Sequence, residues 1–363
     1  MNELAEKVLY CLQMMRLIRW LTSLINDDYG KRVLARHVLG YLDAFLKLAP
    51  RLKNQVKSFG SNVNTVHKKL SQLSADYESF YATIRDKLTN HRQDLPLVNT
   101  IELWNEIDEV TVNIFIDDAS NIYNLLTSIN SLIPPFVESM SVGNNDIKHL
   151  LQLQAKKGGI TAPELATDNL AFSRPNTVMN IYTGELKKRG SQIVSVLDTL
   201  EILCGLYQTL TLGKDTERLG KAMLIVDLIN LIDNLYPYTP TGSKHKIKSF
   251  LEISLDQGHR GYQTLKDAYD QRDTDAESKL REVRNRIAAH VDDNPSRSLE
   301  DLLALLDSTP LELMGKVFWS ARNAFIKCCQ EDTRTLSLLC HRQPLVRLTR
   351  LIETGDFKPY SNL

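Results

Sequence analysis

The spacing of apolar residues constrains this chain more than any other feature: they recur every three or four positions almost throughout, and strict alternation is almost absent. In "IELWNEIDEVTVNIFIDDASNIYNLLTSI", residues Ile101, Trp104, Ile107, Val110, Ile114, Ile122, Leu125 and Ile129 mark one apolar helix face. The β-branched density of "VTVNIF" would suit a strand in isolation, but the longer periodic frame overrides it. The same spacing predicts helices over 3–26, 30–49, 62–91, 178–211, 215–236, 260–290 and 311–330. The expected fold class is therefore all-α.

Turn-forming residues punctuate this pattern. Pro134 and Pro135 close the helix after Trp104, because proline lacks an amide donor and clashes with the preceding turn. Between 141 and 176 the stretches "SVGNND", "KKGGITAPE" and "AFSRPN" concentrate Gly, Asn and Pro. This divides the chain into an N-terminal module, 1–140, a connector, 141–176, and a C-terminal module, 177–363. A second break, "YPYTPTGSK", lies within the later module.

With 44 basic and 44 acidic residues among 363, no global charge draws the chain to nucleic acid or an anionic membrane. Any polyanion site must be local. The five cysteines, Cys11, Cys204, Cys328, Cys329 and Cys340, form no C-x-x-C pair, so free thiols in a reducing cytoplasm are the simplest expectation. Near the N-terminus "CLQMMRLIRWLTSLI" is apolar, but Arg16 and Arg19 interrupt it and Glu3 and Glu6 precede it. It is unlike a signal peptide and reads as a core helix. No run approaches the ~18 apolar residues of a membrane span, so no membrane partner is expected.

A second pattern is an internal echo. Aligned without gaps at an offset of 199, Arg85, His91, Asp94, Pro96, Leu103 and Asp108 meet Arg284, His290, Asp293, Pro295, Leu302 and Asp307. Conservative pairs fill the frame: Ile84 with Val283, Asp86 with Asn285, Lys87 with Arg286, Leu88 with Ile287. In each copy a long helix ends near the histidine and a polar stretch with proline follows. A new helix then opens after Asn99 or Ser298, both good N-cap types. Repeated context points to two related modules.

The stretches "RDKLTNH" and "RNRIAAH" carry Arg, a polar residue and a His six positions after the Arg, at a helix end. This resembles the HEPN superfamily of helical, nucleic-acid-associated domains, whose ribonuclease members carry Arg-x(4 to 6)-His with Asn, Asp or His after the Arg. Arg32 with His37 and Arg334 with His341 share the spacing, but Val33 and Thr335 occupy the polar position. The resemblance implies two helical-bundle modules packed as a pseudo-dimer and a metal-independent endoribonuclease acting on RNA. It implies catalytic roles for Arg284, Asn285, His290, Arg85, Asp86 and His91, with no cofactor. It also implies a defence or toxin role and a protein partner such as an antitoxin.

RNA cleavage by 2′-hydroxyl attack needs a base, an acid and a cation facing the phosphorane oxygens. Histidine can take either proton role near neutrality, and arginine offers a planar, permanently charged fork. Asn285 and Asp86 can orient a neighbour by hydrogen bonding. On a regular helix, positions six apart lie ~120° apart with a rise of ~9 Å, so one motif alone makes a poor site. Two motifs facing each other would supply paired His and Arg.

Other patterns point to simpler roles. Lys279, Arg281, Arg284 and Arg286 oppose only Glu282 in their window, and Arg334, Arg342, Arg347 and Arg350 form a second basic run; both suit a phosphate backbone or a solvated face. "GKDTERLGKA" has the wrong glycine spacing for a phosphate loop, and Ala222 stands where Ser or Thr would hold magnesium. Glu102, Glu106 and Glu109 share a face but have no Glu-x-x-His partner, so a solvated acidic face is expected. Trp20, Trp104 and Trp319 lie in apolar periodic runs and are expected in the core. A non-catalytic helical binding or scaffold protein is the rival functional expectation.

Overall fold

The computed structural model describes residues 2–24, 28–56, 62–80, 107, 109–136, 182–210, 214–237, 248–288, 291–292, 294 and 296–331. Among these residues there is no strand, and the fold is all-α. Four helices, α1 (Asn2–Leu24), α2 (Asp28–Gln55), α3 (Val63–Phe80) and α4 (Glu109–Ile129), form the N-terminal group. The rest are α5 (Gly184–Leu210), α6 (Lys214–Leu235), α7 (Phe250–Asp256), α8 (Tyr262–Asp270), α9 (Thr274–Val283), a π turn (Arg284–Ala288), α10 (Leu299–Asp307) and α11 (Leu311–Gln330). The connector at 141–176 lies outside the described residues.

α1 and α2 form the main N-terminal pair, with α4 packed on both and α3 against α2 and α4. In the later part α6 is the central element, touching α5, the π turn, α9, α10 and α11. The groups meet where α2 approaches α5 and α1 approaches α10. One apolar core runs through both, and Leu12, Met15, Ile18, Leu34, Phe45, Ile225, Ile229 and Phe325 are fully sequestered in it. α1 is thus the core helix its sequence implies. No described helix is long and apolar enough to cross a membrane.

Helix boundaries follow the periodicity, with three informative departures. α2 continues beyond 49 through Pro50 to Gln55. Burial of Leu52 and Val56 holds the turns beyond the proline against its lost hydrogen bond. The expected helix over 260–290 is broken after Asp270, and α9 restarts at Asp273, whose side chain accepts the Ala276 amide. An Asp at this position satisfies a terminal N–H that a continuous helix would not leave open. The third departure is the face of α4. Val110 and Ile114 are exposed, whereas Val112, Phe115, Ile116, Ala119, Ile122, Tyr123 and Leu126 are buried. "VTVNIF" is apolar on every side, so aliphatic spacing alone selects the wrong stripe there.

The helix expected after Ser298 does form. Ser298 Oγ accepts the Asp301 amide at 2.9 Å and the Asp301 carboxylate accepts the Ser298 amide at 3.1 Å, a reciprocal capping box. A matching box at Ser249 and Glu252 opens α7, a short helix absent from the periodic reading. Of the tryptophans, Trp20 and Trp319 are half-buried against the core, and Trp104 is outside the described residues.

Candidate functional site

α9 leads into the later motif. Asp275 and Glu277 sit in its first turn, where negative charge complements the helix dipole, and Leu280 and Val283 carry its buried face. The helix then widens into the π turn over Arg284–Ala288. A π turn closes its hydrogen bonds one residue later than an α turn, which rotates everything after Arg284 by roughly one residue, ~100°, relative to a regular helix. Arg284, Ile287 and Ala288 face the interior, where the turn packs against α6, α9 and α10. Asn285 points to solvent. The first two members of the motif diverge, as neighbours on a helix do: the arginine is 7% exposed and the carboxamide is open.

His290 lies outside the described residues, as do Arg85, Asp86 and His91. The later motif is thus described through its arginine and asparagine.

The basic run at 279–286 is not a continuous positive surface. Arg281 pairs with Asp233 of α6 at 2.5 Å, and Arg286 pairs with Glu282 one turn back at 2.8 Å. Arg284 is internal, which leaves Lys279 as the exposed charge of the four. The run 334–350 is outside the described residues. Glu109 pairs with Lys31 at 3.1 Å, and "GKDTERLGKA" is helical from Lys214 onward. In that helix Arg218 makes a bidentate pair with Asp307, at 2.8 and 2.7 Å. The Arg218 guanidinium holds the Asp307 carboxyl below the usual range.

Behind the motif runs a buried polar seam that periodicity did not reveal. Asp227, Asn230 and Asn234 share one stripe of α6 and are each buried. Arg36 of α2 forms an ion pair with Asp227, and the Asn230 amide donates to the same carboxylate at 3.4 Å. Farther along, Arg189 of α5 donates to Asn234 at 2.9 Å and to Gln192 at 2.8 Å. His37 completes the cluster, its Nε2 3.4 Å from the Arg36 guanidinium and 3.9 Å from Asp227. Arginine can only donate, so His37 Nε2 accepts and the ring is neutral. Burial, reinforced by the Arg36 charge, pushes the His37 pKa well below its ordinary value. The available signal was the embedding of Asp227, Asn230 and Asn234 in the apolar run "MLIVDLINLIDNL".

A second cluster joins α7, α8 and α11. Gly258, in the left-handed region at φ 61°, ends α7, and the His259 amide returns to the Ser254 carbonyl at 2.9 Å. This turn brings His259 Nδ1 to 3.7 Å from Cys328 Sγ, while Nδ1 also accepts the Gly261 amide at 3.1 Å. Nε2 lies 3.1 Å from the Tyr182 hydroxyl. The arrangement ties this loop to α11. Cys11, Cys328 and Cys329 are all buried free thiols.

No family model matches the chain, and no curated protein or solved structure is significantly similar to it.

Proposed function

We propose that the chain is a metal-independent endoribonuclease of HEPN-like organisation, in which the 284–290 motif works with its earlier echo at 85–91. The single observation that carries this reading is the π turn at Arg284–Ala288. π turns are rare, occur mostly as single-turn insertions in helices, and recur at functional sites. Here the irregularity coincides with the motif singled out by the internal echo, and Asn285 within it is exposed to solvent.

In this reading the two modules pack as a pseudo-dimer and His91 and His290 divide the proton transfers. One removes the 2′-hydroxyl proton as that oxygen attacks phosphorus, and the other protonates the departing 5′-oxygen. The products are a 2′,3′-cyclic phosphate and a 5′-hydroxyl. Arg85 and Arg284 supply positive potential to the phosphorane, with Asp86 and Asn285 orienting their neighbours. A cytoplasmic setting, a defence or toxin role and a protein antitoxin belong to the same proposal.

A second reading is favoured by the burial of Arg284, which suits a structural cation packed against α6. In that case the chain is a non-catalytic helical scaffold or binding protein. Incubating the purified chain with RNA in EDTA separates the two. The ribonuclease reading expects cyclic-phosphate products from wild type and their loss in His290→Ala; equal cleavage by both proteins, or none by wild type, overturns it.

A further inference from the structure

The chain that leaves the motif is held from the opposite end of the sequence. Locally, the Asp292 amide donates to the Arg286 carbonyl at 2.7 Å, and the Asn294 amide donates to the Asp292 carboxylate at 2.9 Å. The Ser296 amide donates to the Asn294 side chain at 3.0 Å, completing a pair of Asx-type turns. α1 adds restraints that no local rule supplies. Lys7 Nζ donates to the carbonyls of Asp292 and Asn294, at 2.9 and 3.0 Å. One turn earlier on the same face of α1, the Glu3 carboxylate accepts the Leu299 amide.

Lysine is almost never buried this deeply, and Lys7 is only 2% exposed. Its ammonium has three donors, and two of its bonds go to main-chain oxygens, so it restrains the backbone path there directly. Glu3 and Lys7 bracket the segment from its first turn to the start of α10. In sequence, His290 stands two residues before the first carbonyl that Lys7 holds.

We propose that Lys7 is a positioning residue for the 284–290 motif, acting through the Asp292 and Asn294 carbonyls to fix the path of the chain that follows His290. This rests on the ribonuclease reading above. Lys7 touches no substrate in this role; its ammonium restrains the segment from the other module, so that the proton-transfer geometry depends on contact between the two groups of helices. A displacement of ~1 Å in a catalytic group costs about 100-fold in rate, so loosening this anchor lowers kcat rather than substrate affinity.

The test uses the full chain, a fluorescent RNA oligonucleotide of mixed sequence in EDTA, and amide hydrogen exchange on the same proteins. Lys7→Met, which keeps the stem and removes the donors, is expected to lower kcat about tenfold or more with KM within twofold. It should also raise exchange at Asp292, Asn294 and Leu299 about tenfold. Lys7→Arg, which restores donors to both carbonyls, is expected to recover kcat to within about threefold. Glu3→Ala, which opens the same segment at Leu299, is expected to lower kcat about threefold and serves if Lys7→Met does not fold. Unchanged kcat in Lys7→Met or Glu3→Ala, a change confined to KM, or failure of a folded Lys7→Arg to recover kcat overturns the proposal. Absence of cleavage by wild type overturns the ribonuclease reading and the positioning role together. Raised exchange with unchanged kcat overturns the positioning role alone.

Discussion

Replacing Asp227 with Asn removes one charge from the seam between α2 and α6 while keeping the side chain's shape. In the native fold Arg36 and Asp227 are 3% and 0% exposed, so neither charge is screened by water. After the substitution the Arg36 guanidinium stays buried and ionised, because arginine cannot give up its proton. Beside it, the neutral His37 ring offers a single acceptor nitrogen at 3.4 Å. Breaking a buried pair from one side costs about 3–5 kcal/mol. At an unfolding entropy of about 2.1 cal/mol/K per residue, one cooperative unit of 363 residues converts that loss into a Tm decrease of about 4–7 °C. Urea denaturation followed by helical circular dichroism measures the free energy, and a thermal scan measures the Tm. Arg36→Met combined with Asp227→Leu removes both charges and is expected to restore most of the lost stability, since apolar replacement of buried pairs is often neutral or favourable. A loss below about 0.5 kcal/mol in Asp227→Asn, or a double variant no better than the single, would refute the assignment of this pair as a desolvated, mutually dependent unit.

Gly261→Ala would place a Cβ 2.1 Å from the Cys328 carbonyl oxygen, a contact with rigid backbone, so about 1–3 kcal/mol of stability should be lost in a urea titration. The neutral His37 ring gives the fold a distinct acid sensitivity. Its folded-state pKa lies below that of the unfolded chain, so this contribution is full above the unfolded-chain value of about 6.5 and falls as pH drops below it. His37→Gln should flatten the stability profile between pH 7.5 and 5.5 by one proton's worth of slope, measured by urea titration at each pH.

The all-α class and most helix positions were legible in the sequence because burial in α1, α2 and α6 writes itself as recurring Leu, Ile, Val and Met. Local polar chemistry was equally readable at Ser298, whose cap depends only on residues three positions away. α4 was misread at Val110 and Ile114 because its apolar residues surround the helix, leaving packing partners to choose the face. The seam was harder still. Arg36 and Asp227 are 191 positions apart, and Lys7 reaches a segment nearly the full chain length away, so no periodicity or spacing rule joins them. At the later motif, the sequence marked Arg284 and Asn285 but treated the helix as regular. The π turn over Arg284–Ala288, which packs against α6, has no counterpart in the apolar spacing.

The most direct test of the central claim is the single-turnover rate of RNA cleavage in EDTA by wild type, His91→Ala, His290→Ala and the double variant. If the two motifs form one composite site, each single substitution should reduce the rate about as far as the double one, since groups acting as a unit are strongly non-additive. Retention of about half the wild-type rate by each single variant, or equal rates in all four proteins, would contradict it.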